Sequence, residues 1–485
     1  MINGILEKFP KKSFIRNFSV LLSTNILVSV IAMVTSIYIA RVLSPIHYGQ
    51  YSVILSIIGI FQVLASLGLS TTVTKSVARN QENSKPIFRA SVWAYSGGFL
   101  IASFFLFTYM LFANEGNTGF MIILMILSLF SQTLWILFEN IAFGMQRMEY
   151  SGLINLIITC LLFGAYIVIP IENISVALVL TVNVVGQLFK DVLYYYFCKK
   201  NKLLTGEVFE NVNYKTNAIQ LFRNSLPFLI MGGFSMLSNQ IPILFLNANS
   251  GTEQVAYFNT ANKLLLPINL FITTAMTALF PNLSKLYLLN KESYKEKIQT
   301  ALFAIALLGV LGAITVSFFR SEIVTILYGK AYQNTGLVLT YQCWFIISFA
   351  FFCFFGSVFS SSDKQKLLSY LSISYALVSV PILWVGSHYG AEYLSLAFII
   401  TAVINMSYHW YFMQKALPTP LSKIFTIKLF GLIILPFAFS FLIPENLGLG
   451  LKTLIYLSTI VVLGFLVKNY IIILIKGNLF KGSSF

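Results

Sequence analysis

The sequence predicts an all-α integral membrane protein with about fourteen membrane-spanning helices. Hydrophobic residues make up 57% of the 485 residues, charged residues make up only 10%, and the mean hydropathy is +0.81. Apolar runs of roughly 20 residues follow one another along the whole chain. A water-soluble fold of this length needs far more charge on its surface, so the composition excludes the soluble classes. In lipid each run must be helical, because the bilayer core offers backbone N–H and C=O groups no partner.

The apolar runs set the bounds of the individual spans. In chain order these are predicted at 18–40, 51–74, 90–112, 119–143, 151–170, 175–198, 225–246, 255–283, 298–319, 335–360, 367–387, 393–414, 425–443 and 452–475. Pro227, Pro242, Pro267 and Pro281 predict breaks or kinks in the seventh and eighth spans. The longest connector, 199–224, follows the sixth span, and no connector is long enough to hold a catalytic domain.

A weak internal repeat predicts two halves. The segment 41–52, at the outer end of the first hairpin, is echoed by the segment 250–259 after the seventh span, which aligns Ala256 with Gly49. Such repeats are typical of transporters built from two related lobes. We therefore expect an N-terminal lobe at 1–198, a cytoplasmic linker at 199–224, a C-terminal lobe at 225–414, and two further spans at 415–485.

The distribution of basic residues predicts the orientation. Of the 32 lysines and arginines, 27 fall at the termini or on connectors of one side, Lys190 being counted among them. The opposite side holds Arg41, Arg320, Lys330 and Lys452. The positive-inside rule therefore places both termini in the cytoplasm. The net charge of +16 is scattered over short connectors instead of forming one basic face, which argues against a nucleic-acid partner.

Cysteines and histidines give no sign of a metal or cofactor site. The four cysteines lie in or beside apolar runs, without a CxxC pair or a histidine at ligand spacing: Cys160, Cys198, Cys343 and Cys353. We therefore expect no disulfide framework, no metal and no cofactor. Of the three histidines, His47 and His388 are interpreted as loop residues and His409 as an interfacial residue near the end of a span.

Lys263 is interpreted as the only basic residue well inside a predicted span, roughly 12 Å from the outer end of span eight. An ammonium group in hydrocarbon costs several kcal/mol unless it meets a wet cavity, another charge or a ligand phosphate. We predict that Lys263 lines a cavity and attracts an anion. The alternative is a structural pair, or a side chain that snorkels to the interface.

Side-chain amides are frequent in the same part of the predicted fold: Asn25, Asn239, Gln240, Asn259, Asn262 and Asn269. Amides offer both donors and acceptors to the hydroxyl groups of a sugar without the desolvation cost of a charge. Each one alone is also consistent with hydrogen bonding between helices. As a cluster they predict a surface that binds a neutral glycan.

Two further charged residues have alternative interpretations. Arg41, at the end of span one, either anchors the helix at the headgroup level or contributes to an outward gate. Glu139, in span four, lies beside Asn140 and within two turns of Arg147. This spacing favours a local Glu139–Arg147 pair over a proton-coupling carboxylate.

Five segments carry a resemblance to a known family. They are Ala40-Arg-Val-Leu-Ser-Pro followed by Tyr48-Gly-Gln-Tyr, Leu67-Gly-Leu-Ser-Thr-Thr-Val-Thr-Lys, Phe143-Gly-Met-Gln-Arg-Met-Glu-Tyr, Ala256-Tyr-Phe-Asn-Thr-Ala, and Leu327-Tyr-Gly-Lys-Ala-Tyr. In this order the chain resembles the Wzx-type polysaccharide flippases of the MOP exporter superfamily, which move O-antigen and capsule repeat units. Related lipid II flippases have an Arg-Asp pair in span one and an arginine in span eight. Asn25 and Lys263 depart from that pattern, which argues against a peptidoglycan precursor as substrate.

The resemblance implies two six-helix lobes that face each other across a central cavity, plus two C-terminal helices. It implies a bacterial inner-membrane transporter that moves undecaprenyl-diphosphate-linked oligosaccharides from the cytoplasmic to the outer face by alternating access. Further expected partners are the lipid bilayer and other polysaccharide assembly proteins. With the residues above, it predicts a substrate site composed of Lys263, Asn25, Asn239, Gln240, Asn259, Asn262 and Arg41.

Two other functions remain as alternatives. A drug or cation antiporter of the MATE branch shares this architecture, but it would bind its cation with acidic residues. The apolar runs of spans one, two, seven and eight contain no Asp or Glu. A membrane enzyme of polysaccharide assembly would be expected to carry a large outer loop or a clustered His/Asp/Glu set, so we expect a transporter and not an enzyme.

Overall fold

The computed structural model of the chain describes residues 11–112, 119–204, 214–362, 364–417, 420–441 and 448–476, in which every regular element is a helix. The α-helices are α1 (Lys11–Val42), α2 (Pro45–Ser66), α3 (Leu69–Arg79), α4 (Ser84–Phe112), α5 (Gly119–Gly144), α6 (Met148–Val168), α7 (Val176–Lys200), α8 (Tyr214–Asn239), α9 (Ile241–Ser250), α10 (Thr252–Leu289), α11 (Lys291–Phe318), α12 (Arg320–Tyr328), α13 (Thr335–Ser361), α14 (Gln365–Ser387), α15 (Ala391–Ala416), α16 (Lys423–Ser440) and α17 (Leu449–Lys476). Residues 205–213 of the predicted linker 199–224 lie outside the described residues.

The predicted class and span number are confirmed. Within the described ranges, 12 helices are long and apolar enough to cross a membrane. The predicted span 225–246 corresponds to α8 and α9, two helices that meet at Gln240. The predicted span 452–475 corresponds to α17, which begins at Leu449 and ends at Lys476. A helix break occurs next to Pro242, whereas α10 continues as one helix of 38 residues through Pro267, so the break predicted there is absent and the kinks stay a prediction.

The second span differs from its prediction at both ends. It was predicted at 51–74, whereas α2 already begins at Pro45, where Ser44 caps the helix by accepting a hydrogen bond from the His47 backbone N–H at 3.4 Å. The helix ends at Leu67 and Gly68, which both have left-handed backbone angles, φ +48° and +67°. A helix cannot continue through that conformation, so α3 starts anew after it.

Gly68 also permits a close approach to another helix. A Cβ atom at this position would lie 2.4 Å from the backbone nitrogen of Leu229 in α8. The Ser225 hydroxyl donates a hydrogen bond to the Leu67 carbonyl at 2.8 Å, which joins α8 to the same turn. The break between α2 and α3 is therefore part of the packing of α8.

The chain forms two compact units, Met1–Ala256 and Tyr257–Phe485. In the first unit, α1 packs against α6, α5 against α7, and α2 against α4 and α5, while α8 packs against α4 and α3. The predicted seventh span therefore lies within the first unit. The predicted lobes at 1–198 and 225–414 stay a prediction.

In the second unit, α13 packs against α11 and α15, and the C-terminal helices α16 and α17 pack against α11. Lys452 of α17 donates a hydrogen bond to Glu322 of the short helix α12 at 2.8 Å. Burial alone would raise the pKa of Glu322, but the hydrogen bond and charge of Lys452 lower it below its ordinary value. This ion pair fixes the beginning of α17 to the rest of the unit.

Candidate functional site

The predicted site residues of span eight lie on one face of α10. At about 100° per residue, Asn259, Asn262, Lys263 and Asn269 fall within a sector of about 120°. Asn259 is buried, and the other three are half-buried. Among the described residues, no hydrogen bond or ion pair reaches the ammonium group of Lys263. This polar face therefore offers one cation and several amides to a ligand.

A second face of α10 holds this segment in place. The Phe258 ring stacks on Phe398 of α15 with a centroid distance of 5.8 Å, and the Phe258 carbonyl accepts a hydrogen bond from the Gln342 amide at 3.1 Å. The Tyr328 hydroxyl donates to the Thr260 carbonyl at 2.9 Å. These contacts come from three different helices of the second unit, so the backbone beneath Asn259 and Lys263 is fixed before any ligand binds.

The remaining predicted site residues lie in the first unit. Asn25 is half-buried in α1, and Arg41 is exposed at the end of the same helix. Asn239 is exposed at the end of α8, and Gln240 lies between α8 and α9. The Gln240 amide packs against α2, because its Nε2 atom lies 3.2 Å from where a Cβ atom on Gly59 would be. Substrate contact by these four residues stays a prediction.

The structure reveals charged residues inside the membrane that the sequence interpretation missed. Lys190 was counted with a connector, but it lies within α7, next to the buried Asp191. The expected Glu139–Arg147 pair is wrong, because Arg147 pairs with Glu149 at 3.5 Å. Glu139 instead accepts hydrogen bonds from Ser151 and Tyr194. The signal available in the sequence was the adjacent Lys-Asp pair within an apolar run.

His409 also differs from its prediction. It was interpreted as interfacial, but it is only 1% exposed in α15. Its ring is surrounded by Phe352, Phe355 and Phe359, with centroid distances of 5.1, 6.0 and 6.1 Å. The Nδ1 atom lies 2.9 Å from the Asn405 carbonyl, and the Nε2 atom is buried without a partner. The residue is a packing element of the second unit.

No group of three or more His, Cys, Asp or Glu side chains that could hold a metal ion occurs in the ranges described above. The cysteines Cys160, Cys198, Cys343 and Cys353 are free thiols.

Comparison with known proteins gives matches of three kinds. A family model described as "Polysaccharide biosynthesis protein" matches residues 14–287, more than half of the chain. A "Putative O-antigen transporter" of Shigella dysenteriae is 26% identical over 250 residues, which cover 49% of this chain and 59% of that protein. The "Capsular polysaccharide biosynthesis protein CapF" of Staphylococcus aureus is 20% identical over 366 residues, which cover 73% of this chain and 87% of that protein.

Solved structures show the same fold. The "Lipid II flippase MurJ, inward closed conformation" aligns with a TM-score of 0.72 at 12% identity, over 93% of this chain and 99% of that one. An inward-facing "multidrug resistance MATE family transporter of the MOP superfamily" aligns with a TM-score of 0.59 at 15% identity, over 80% of this chain and 95% of that one. Because these identities are low, the two likenesses establish the arrangement of helices and leave the substrate to the site itself.

Proposed function

The chain belongs to the polysaccharide biosynthesis protein family, and from this premise we propose that it transports lipid-linked oligosaccharides across a bacterial inner membrane. The substrate would be a glycan repeat unit on undecaprenyl diphosphate, moved from the cytoplasmic to the outer face by alternating access. The named relatives support this, since one is called an O-antigen transporter and another a capsular polysaccharide biosynthesis protein.

Lys263 carries the proposal. It is half-buried in a membrane-spanning helix without a protein counter-charge among the described residues, and such a placement is costly unless a ligand provides the negative charge. A diphosphate provides that charge. Asn259 and Asn262 lie within one helical turn of Lys263, where their amides can donate to and accept from sugar hydroxyl groups.

A drug or cation antiporter is the second candidate, because MATE transporters share the fold. An organic cation would be attracted by acidic side chains on the same surface. Asn259, Asn262 and Lys263 form a surface with one positive and no negative charge. The electrostatics of α10 therefore favour an anionic substrate over a cationic one.

The test is a transport assay in proteoliposomes. A fluorescent oligosaccharide on undecaprenyl diphosphate is built into both leaflets, and an impermeant reagent then destroys the label on the outer surface. Vesicles with the protein should lose nearly all the label, whereas protein-free vesicles should keep the inner half. A parallel arm measures uptake of a cationic dye. Dye uptake without movement of the glycan would overturn the flippase proposal in favour of the antiporter.

The proposed orientation can be tested with two matched positions. Asn83 and Asn173 each end an exposed 3₁₀ turn, and we expect them on the cytoplasmic and outer sides respectively. In a cysteine-free parent, Asn83→Cys should resist an impermeant thiol reagent in intact cells, while Asn173→Cys should react. Permeabilised cells control for access, since both positions should react there. The reverse pattern in intact cells would invert the topology.

A further inference from the structure

A ladder of polar side chains runs along the buried face of α7. Asn183, Gln187, Asp191 and Tyr194 follow one another at helical spacing and span about 16 Å of helix axis. Such a row is unusual in the middle of a membrane protein, where polar groups are rare and mark pathways for ions or protons.

Each of these four side chains is hydrogen-bonded to a neighbouring helix. The Asn183 amide donates to Tyr51 of α2 at 3.0 Å and to Tyr166 of α6 at 2.7 Å. Ser128 of α5 donates to the Gln187 carbonyl oxygen at 3.0 Å, and Ser131 donates to Asp191. The single O–H of Tyr194 is shared between two acceptors, Ser151 of α6 at 3.0 Å and Glu139 of α5 at 3.3 Å. The first unit therefore contains four groups of polar contacts at successive positions along α7.

Asp191 differs from the other three side chains because one of its carboxylate oxygens has no hydrogen-bond partner. The side chain is 5% exposed, its Oδ2 atom accepts from Ser131, and its Oδ1 atom is buried with no hydrogen bond. Glu139, the other carboxyl group nearby, accepts at one oxygen from both Ser151 and Tyr194. Hydrogen bonds stabilise a carboxylate in its charged form, so Glu139 is the better solvated anion of the two.

Lys190 supplies the positive charge near Glu139 and Asp191, and these three residues are called the charged cluster below. Its ammonium group lies 3.2 Å from the centre of the Trp135 ring, so a cation–π contact holds it on the α5 side of α7. No ion pair within 4.0 Å joins Lys190 to a carboxylate in the described ranges, but its charge acts on both Glu139 and Asp191. With all three groups ionised the cluster has a net charge of −1, and one proton makes it neutral.

We propose that Asp191 is a proton-binding site, and that proton binding and release there drive the transport proposed above. The proton binds at Oδ1, where it removes the negative charge from a buried oxygen that no hydrogen bond stabilises. The proton arrives from one aqueous side and leaves to the other, so no further reactant is needed. Since Ser131 joins Asp191 to α5, the change in charge alters the contact between α5 and α7. The binding site stands on its own geometry, whereas the coupling rests on the proposed function.

The groups around Asp191 permit this assignment. From α7 itself the charged neighbour is Lys190, and from α5 Glu139 acts on Lys190 and on the hydroxyl of Tyr194. The helices α6 and α2 contribute Tyr166 and Tyr51, which meet at Asn183 about two turns away. At the end of α5, Arg147 and Glu149 neutralise each other. The charge around Asp191 is therefore determined by two acidic residues, Asp191 and Glu139, and one basic residue, Lys190.

The experiment is infrared difference spectroscopy of the reconstituted full-length protein during a pH titration, without any glycan. A protonated carboxyl group in an apolar site has its own carbonyl-stretch band. The parent should show a band that appears on acidification and is lost in Asp191→Asn. Glu139→Gln should weaken proton binding, because its cluster is already neutral, and Lys190→Met should strengthen it. The exposed Glu172→Gln variant is the control and should behave as the parent does.

The variants separate the proposal from a structural role. If Asp191 only joins α5 to α7, no buried carboxyl band should titrate in the parent, and Lys190→Met and Glu139→Gln should not move it in opposite directions. Either result would overturn the site. A band with the expected shifts, in a protein that moves no lipid-linked glycan in proteoliposomes, would support the site and contradict the proposed function. Glycan movement in a protein that lacks the titrating band would support the proposed function and contradict the proton-binding site.

Discussion

Replacing Lys263 by alanine is expected to abolish most of the transport activity while the protein still inserts and accumulates. The side chain is half-buried in α10, and no protein group among those described compensates its charge. If a diphosphate is its partner, the alanine variant loses the strongest single attraction for the substrate. If the side chain instead snorkels to the interface and contacts no substrate, the same change should leave transport intact.

The conservative variant makes the expectation sharper. Lys263→Arg keeps the positive charge but replaces a compact ammonium group with a planar guanidinium that needs more room. We therefore expect partial activity, between that of the parent and that of Lys263→Ala. Lys285→Ala serves as the matched control, since Lys285 is an exposed lysine on the same helix. It should transport as the parent does.

The readout is surface polysaccharide in a strain without its own flippase, with membrane abundance measured in parallel. A parental level of polymer from Lys263→Ala at equal abundance would remove the anion-binding role. The snorkelling interpretation, in which the long side chain reaches the interface and contacts no substrate, would then replace it. Loss of polymer together with loss of the protein from the membrane would point to folding.

The class and most of the helices could be predicted because a bilayer imposes its length and its polarity on each span separately. The tenth span shows this best: it was predicted at 335–360 and is found as Thr335–Ser361. A span of this kind depends on its own composition and hardly on its neighbours. The polar face of α10 was predictable for the same reason, since Asn259, Asn262 and Lys263 follow one helical period.

Features that depend on contacts between helices could not be predicted from single spans. The break at Leu67 and Gly68 lies inside an apolar run, and what requires it is the close approach of α8 to Gly68. Arg147 pairs with Glu149 and not with Glu139, because Glu139 accepts hydrogen bonds from Ser151 and Tyr194 of other helices. The burial of His409 depends on three phenylalanines of another helix. Charge and spacing along the chain do not contain this information.

The second prediction of large effect concerns the contact between α2 and the first residue of α10. A Cβ atom on Gly49 would lie 1.8 Å from the backbone oxygen of Thr252 and 2.6 Å from its carbonyl carbon. Both atoms belong to the backbone, so a side chain cannot rotate away to make room. Gly49→Ala should therefore destabilise the protein, by about 1–3 kcal/mol or more if the helices cannot separate.

Gly97→Ala is the control that isolates the contact from the general effect of replacing a helical glycine. A Cβ atom on Gly97, in α4, meets nothing within 4 Å, so this change should be neutral or should stabilise the helix by up to about 1 kcal/mol. Thermal unfolding in detergent should then show a lower Tm for Gly49→Ala and an equal or higher Tm for Gly97→Ala. Adding Thr252→Ala to the Gly49→Ala variant should not restore the Tm, because the atom in the way is a backbone oxygen and survives the change. Rescue by Thr252→Ala, or equal Tm values for the two glycine variants, would show that α2 and α10 do not approach each other as closely as this contact requires.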